Sequence, residues 1–400
     1  MSDIRERKLA SSSTPPADTV EVDKDQRPKH GPLVQLLRTV LLAIWFWACI
    51  LCIFVIQLIG CPLYFIRKDY YYAYMALTKQ SFGVLIITIT QWGAPTRVRV
   101  SGDKSICGEL HQTKDGHLKT MFPDRLVLIA NHQVYTDWLY LWWIAYSARM
   151  HGHLFIILKE TLKYIPILGQ GMMFYGFIFM ARKWQSDKPR LEHRLRKLKT
   201  QHSRHLSGSQ PFDPMWLMIF PEGTNLSTNS KEKSDEYGQK QGIPIYRHLL
   251  LPRSTGLYFC LQQLRATVDY VYDCTLAYEG PPKGSYPDMH FTLRSTYLQG
   301  RPPKSVNMHW RRFAISDIPL DNQKEFDIWL RAMWAEKDDL LEQFYNSGRF
   351  PSELVDSVNG APSGGRKSTA AIGYIETDIG LRHWSEIGQI FGITPLLNLL

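Results

Sequence analysis

The 400-residue sequence contains no Gly-x-Ser-x-Gly turn, which removes the usual means of presenting a serine nucleophile at the top of an α/β sheet. Its six cysteines, Cys49, Cys52, Cys61, Cys107, Cys260 and Cys274, include no pair of Cys-x-x-Cys units of the kind that holds zinc. The single Cys49-x-x-Cys52 lies in a hydrocarbon-like run, where packing is the expected role. A disulfide framework is not expected, so the side of the chain that carries chemistry reads as facing a reducing compartment, the cytosol. Acidic residues are outnumbered, 37 Asp and Glu against 47 Lys and Arg, for a net charge of +10. Such a surplus suits an anionic partner: nucleic acid, an acidic membrane or a phosphorylated substrate. Signatures of nucleic-acid-binding modules are missing, and no internal repeat is visible.

Aromatic and apolar residues, by contrast, are plentiful. The 44% apolar content is ample for a core, and 12 Trp with 20 Tyr, many near apolar runs, suit a membrane interface where amphipathic rings gather. Residues 1–32 carry Ser, Pro and charged side chains with few large apolar groups and read as a disordered tail. Residues 33–95 read as a membrane anchor. Within it, residues 40–59 are long and apolar enough to span a bilayer or to dip into one leaflet, and residues 70–92 are half apolar and read as interfacial. Arg38 lies before the apolar run and Arg67 with Lys68 after it, so charge leaves the orientation open.

Residues 96–350 alternate strand and helix signals, with apolar strand-like runs at 98–100, 126–130, 154–158, 172–181, 217–220 and 273–278, which argues for an α/β domain. The basic stretch 190–205 reads as a helix with either a solvated face or a surface for anionic lipid. Residues 231–241 are polar and read as a loop, and 320–344 as an amphipathic helix carrying Trp329 and Trp334. Residues 351–400 read as a Gly, Ser and Pro linker at 359–368 followed by a short apolar segment, 387–400, broken by Pro395 and suited to an interfacial helix.

The chain is organised around Arg125-Leu-Val-Leu-Ile-Ala-Asn131-His132-Gln-Val-Tyr-Thr-Asp137, an apolar strand ending in a polar turn before a helix. Residues five apart on a regular helix point about 140° away from each other, so His132 and Asp137 meet only if the turn bends. If it does, the carboxylate fixes one imidazole nitrogen and leaves the other basic, a general-base dyad. If it does not, the same residues are a capping Asp and a solvated His. A second block, Trp216-Leu-Met-Ile-Phe220-Pro221-Glu222-Gly223-Thr224-Asn225, repeats the layout. Here Gly223 allows close approach of a ligand, Pro221 stiffens the entry, and Glu222 and Thr224 can take hydroxyl groups. In a third, Gly176-Phe-Ile-Phe-Met-Ala-Arg182, an apolar run ends on a guanidinium suited to phosphate.

In this order the three blocks resemble the glycerophospholipid acyltransferases, whose pattern is Asn-His-four residues-Asp, an Arg-ended apolar block and Phe-Pro-Glu-Gly-Thr. Within that family the chain is most similar to the lysocardiolipin, lysophosphatidylglycerol and fungal lysophosphatidylinositol branch. Residues 162–166, 179–184, 222–227, 251–256 and 273–278 carry that closer similarity over roughly 33–350. The resemblance implies a single acyltransferase domain with a central, mostly parallel sheet flanked by helices, preceded by a membrane helix or helical hairpin. It implies His132 and Asp137 as catalytic residues, with Asn131, Arg182, Phe220, Pro221, Glu222, Gly223 and Thr224 binding substrate. Acyl-CoA is then the donor, a lysophospholipid the acceptor and the bilayer the third partner, with no metal, no cofactor and no nucleic acid. An anionic acceptor of the lysophosphatidylinositol, lysophosphatidylglycerol or lysocardiolipin type is expected ahead of 1-acylglycerol-3-phosphate, at the endoplasmic reticulum with the catalytic domain facing the cytosol. In relatives specific for lysophosphatidate the fourth block is apolar, whereas here it is Leu250-Leu-Pro-Arg253, leaving Arg253 either for head-group binding or for a surface ion pair. Two other classes stay open: a metal-dependent hydrolase recruiting His132, Asp137, His151 and His153, and a membrane-tethered nucleic-acid- or lipid-binding protein without catalysis.

Overall fold

The computed structural model describes residues 30–200, 212–282, 284–354 and 373–392. The expected N-terminal tail, the 359–368 linker and the end of the apolar C-terminal segment fall wholly or mainly outside them.

An antiparallel hairpin opens the fold: α1 (Pro32–Gly60) and α3 (Lys68–Gly93), joined through the single turn α2 (Leu63–Ile66). Tyr74 Oη donates to Ile56 O at 2.9 Å near the turn, and at the far end Trp45 and Trp92 pack with centroids 5.5 Å apart. On α1, Cys49, Ile50 and Ile53 face inward, while Leu37, Leu41, Ile44 and Leu51 stay exposed. Both helices are long and apolar enough to cross a membrane. Most of α3 is nevertheless covered by protein, since Lys79 is buried, donates to Leu154 O at 3.0 Å and lies 3.9 Å from the Phe155 ring centre. A stretch read from its mixed composition as interfacial is thus a helix packed on the domain.

The strands are β1 (Arg97–Gly102), β2 (Leu110–Gln112), β3 (Leu118–Thr120), β4 (Arg125–Ala130), β5 (Leu154–Lys159), β6 (Ile178–Met180), β7 (Met215–Ile219), β8 (Tyr270–Glu279), β9 (Ser305–Ala314) and β10 (Ile375–Asp378). All but the β2-β3 ribbon join one eight-stranded sheet in the order β10-β1-β9-β8-β4-β7-β5-β6. Within that sheet, among the described residues, only β1-β10 and β8-β9 pair antiparallel. The remaining helices are α4 (Asp137–Ser147), α5 (Leu168–Phe174), α6 (Trp184–Leu198), α7 (Thr228–Gln241), α8 (Ser254–Leu264), α9 (Pro287–His290) and α10 (Gln323–Ser347).

Strand β4 lies inside the sheet, and this explains its unbroken apolar run. Leu126, Leu128 and Ala130 pack on one face with residues of α1, α3 and α4, while Val127 and Ile129 pack on the other with α6, α8 and α10. A parallel strand covered on both faces needs apolar residues at every position rather than at alternate ones.

Two local readings are corrected. Residues 231–241 belong to α7 rather than to a loop. Ser227 and Ser230 form a reciprocal capping box at its start, and Gly242 closes it in the left-handed conformation at φ 64°. Its charged residues are good helix formers, so polarity alone misled. The apolar run 172–181 is split: residues up to Phe174 end α5, and only Ile178–Met180 form a strand, because Gly176 turns the chain at φ 74°. Strand β9 had no strand signal, since His309, Arg311 and Arg312 interrupt it. Arg311 is nonetheless buried, held by Asp273 at 2.9 Å and Glu336 at 2.7 Å.

Candidate active site

The three sequence blocks leave the same edge of the sheet. Strands β4 and β7 run parallel in register, Ile129 opposite Ile219, so Asn131-His132 and Phe220-Pro221 emerge side by side from their carboxyl ends. Strand β6 ends just before Arg182, on the far side of β5. Carboxyl ends of parallel strands are where open α/β sheets place ligands.

The turn after β4 does bend. His132 Nδ1 lies 2.8 Å from Asp137 Oδ2, which also accepts the Val134 backbone N–H at 3.0 Å. The other carboxylate oxygen accepts from the Tyr278 hydroxyl. Asp137 has no exposed surface, so it can serve only the imidazole and these two donors. A carboxylate accepts and does not donate, so in the neutral ring Nδ1 carries the proton and the lone pair falls to Nε2. Nε2 has no hydrogen-bond partner among the described residues, and the imidazole side chain is 18% exposed. Its ring stacks on Phe220 at 4.4 Å and 25°.

Two expected substrate-binding residues are turned into the protein. Asn131 is fully buried: its amide donates to Leu276 O at 3.0 Å and accepts from Leu276 N at 2.8 Å, tying β4 to β8. Glu222 is also buried, accepting the His132 backbone N–H at 3.0 Å through one oxygen and the Trp334 indole N–H at 3.3 Å through the other. Burial pushes its carboxyl up to about 8 against the pull of those donors. Pro221 is buried, whereas Gly223 is exposed and Phe220 and Thr224 are half-buried, so it is the middle of the turn that faces outward. Gly223 adopts φ 74°, a conformation that favours glycine. Arg182 is exposed, adopts the left-handed φ of 67°, and donates through Nη2 to Gly223 O at 2.6 Å. The third block thus closes on the second.

Tyr278, Trp334 and Lys337 belong to the site's framework and were not singled out as site residues. Lys337, with no exposed surface, donates to Cys274 O at 2.7 Å and pairs with Asp273 at 2.7 Å, both on β8 beside β4. No local pattern marks these residues, because each acts across more than sixty positions. His151 and His153 lie before β5, at the opposite end of the strands from His132, and burial lowers them to about 3 and about 4.

Residues 113–279 match the family model described as Acyltransferase, and residues 296–370 the one described as Acyltransferase C-terminus. The chain is 37% identical to the 2-acyl-1-lysophosphatidylinositol acyltransferase of Saccharomyces cerevisiae, over 82% of this chain and 89% of that protein. It is 31% identical to lysocardiolipin acyltransferase 1 of Gallus gallus, over 74% of this chain and 70% of that protein. It is 33% identical to a probable 1-acyl-sn-glycerol-3-phosphate acyltransferase of Arabidopsis thaliana, over 64% of this chain and 60% of that protein.

Proposed function

The chain belongs to the glycerophospholipid acyltransferase family and is a membrane-associated enzyme of lysophospholipid acyltransferase type; from that premise we propose that it moves an acyl group from acyl-CoA to the free hydroxyl of an anionic lysophospholipid. His132 Nε2 takes the hydroxyl proton as the oxygen attacks the thioester carbonyl carbon. The carbon–sulfur bond then breaks, and the imidazolium returns the proton so that CoA leaves as a thiol. Asp137 holds the ring and stabilises the imidazolium. Neither a cofactor nor a metal takes part in these steps.

One observation carries this reading: the 2.8 Å contact of Nδ1 with a buried carboxylate, which leaves a basic Nε2 at the open end of the sheet. Arg182 and the outward part of the turn, Gly223 and Thr224, hold the acceptor's phosphate and glycerol, with Phe220 as the floor beneath the imidazole. Asn131 and Glu222 act as positioning residues behind them. The identity to a lysophosphatidylinositol acyltransferase supports phosphatidylinositol-type acceptors ahead of lysophosphatidate. Residues 33–95 serve as the anchor, and 96–350 together with β10, which joins the sheet from the stretch read as linker and apolar tail, as the acyltransferase domain, on the cytosolic face of the endoplasmic reticulum. The test offers purified enzyme labelled acyl-CoA with a panel of lysophospholipids and reads the products by mass. Transfer to an anionic acceptor, lost in His132→Ala, supports the reading. Robust turnover by His132→Ala overturns the mechanism.

A further inference from the structure

Arg253 comes from the fourth sequence block, far along the chain from Arg182, yet both arrive at Gly223. The Arg253 backbone N–H donates to Pro221 O at 2.8 Å, and its side chain runs back along the turn. A Cβ placed on Gly223 would lie 3.7 Å from Arg253 Cδ and from Nε. Arg182 Nη2 donates to Gly223 O at 2.6 Å. Burial and the neighbouring Arg253 charge both lower the Arg182 guanidinium from its ordinary value. Neither arginine has a carboxylate partner among the described residues, unlike Arg99, Arg311 and Arg312, each of which is paired.

A second feature adds to the charge. Arg253 is the N-cap of α8, which has no side-chain cap and no acidic residue in its first turn. The amino end of α6 differs, because Asp187 accepts the Ala181 and Lys183 N–H groups at 2.9 Å each. The free N–H groups and partial positive charge of an uncapped helix start favour an oxyanion. Two like charges and a helix start brought together with no counter-charge are costly unless an anion joins them.

We infer that Arg253, Arg182 and the uncapped start of α8 form a phosphate-binding fork, in which Arg253 sets the selectivity for a phosphate-bearing substrate. This rests on the function proposed above and deepens it. Paired guanidinium forks meet the oxygens of one phosphate in a way a single point charge does not. The distance from the base suits this role. Phe220 stacks on His132, Arg182 bonds Gly223 and the Arg253 side chain lies alongside it, and three residues of chain reach about 10 Å at most. A phosphate at that range belongs either to the acceptor head group or to CoA.

The experiment uses the full-length enzyme in nanodiscs and compares wild type with Arg253→Gln and Arg253→Lys. Acceptors are lysophosphatidylinositol and the phosphate-free monoacylglycerol; donors are oleoyl-CoA and oleoyl-pantetheine, whose thioester carries no phosphate. Losing a charge-assisted contact is expected to raise the relevant KM about tenfold or more in Arg253→Gln, with partial recovery in Arg253→Lys. A rise confined to lysophosphatidylinositol assigns the fork to the acceptor; a rise for oleoyl-CoA but not oleoyl-pantetheine assigns it to the donor. Unchanged KM values for all four substrates overturn the fork while leaving the proposed reaction intact. A readout independent of turnover separates the two ideas. In the His132→Ala background, adding Arg253→Gln is expected to weaken binding of lysophosphatidylinositol or oleoyl-CoA about tenfold. Unaltered binding of both overturns the fork whatever the reaction proves to be.

Discussion

One oxygen of Glu222 lies 3.0 Å from the backbone nitrogen of His132, which makes the second sequence block a brace for the first. The other oxygen takes the Trp334 indole N–H, so α10 supports the same brace from the far side of the sheet. A histidine held at its backbone by Glu222 and at its ring by Asp137 has little freedom to leave its working position. Each of these ties can be cut separately.

His132→Ala removes the base and is expected to lower kcat about 10³-fold, and Asp137→Asn, which frees the ring and alters its tautomer, about 10²-fold. Both are checked by initial-rate kinetics on protein whose circular dichroism matches wild type. A wild-type rate in either would contradict the proposed roles.

Trp334→Phe keeps most of the buried ring but leaves one Glu222 oxygen without a donor, at a cost of about 1–3 kcal/mol in stability. Thermal unfolding measures that cost. A loss in kcat with KM retained would show that the brace acts through His132 rather than on substrate.

The Glu222 carboxyl titrates near 8 in the fold and near the ordinary carboxylate value when unfolded. From about pH 4.5 to about pH 8 the unfolded chain therefore releases a proton that the folded chain keeps, and this group's contribution to stability falls as pH rises. Burial of His151 and His153 acts oppositely, since their folded values lie below the unfolded one and stability is lost as pH falls below about 6.5. Subtracting the Tm profile of Glu222→Gln from that of wild type isolates the first effect. A flat difference between pH 5 and pH 8 would refute the inward placement of a neutral Glu222.

Lys337→Met leaves Asp273 with only Arg311 as a buried partner, where Lys337 now sits at 2.7 Å and Arg311 at 2.9 Å. Breaking one side of such a pair is expected to cost about 3 kcal/mol, read from denaturant unfolding.

Placing lysines at Ile44 and Leu51, both on the outward face of α1, is expected to weaken membrane association by about 2.5–3.5 kcal/mol per charge if that face meets lipid. Vesicle flotation measures it. The same change at Ile50, which faces inward, is expected to destabilise the fold instead.

The chemistry was legible where it is local in the chain. Residues 125–137 announce a buried strand, a polar turn and a helix, because an interior parallel strand must be apolar at every position. The order of the His132, Arg182 and Phe220 blocks was enough to indicate the family. Less legible was what polarity conceals. Charged α7 read as a loop because good helix formers are also soluble, and β9 went unseen because its arginines find carboxylates only in the assembled sheet.

The sequence by itself determined that a histidine with a carboxylate five positions on would end an interior strand, and that a long apolar stretch would precede the domain. Only the tertiary structure decided which of these side chains face outward and which turn into the protein. Asn131 and Glu222 look like ligand groups in the chain, yet they turn inward to bond Leu276 and Trp334, more than one hundred positions away. Arg253, left between two roles by the sequence, is brought beside Arg182. The reason is physical: hydrogen bonding and charge depend on separation in space, and only packing of the sheet sets that separation for residues so far apart along the chain.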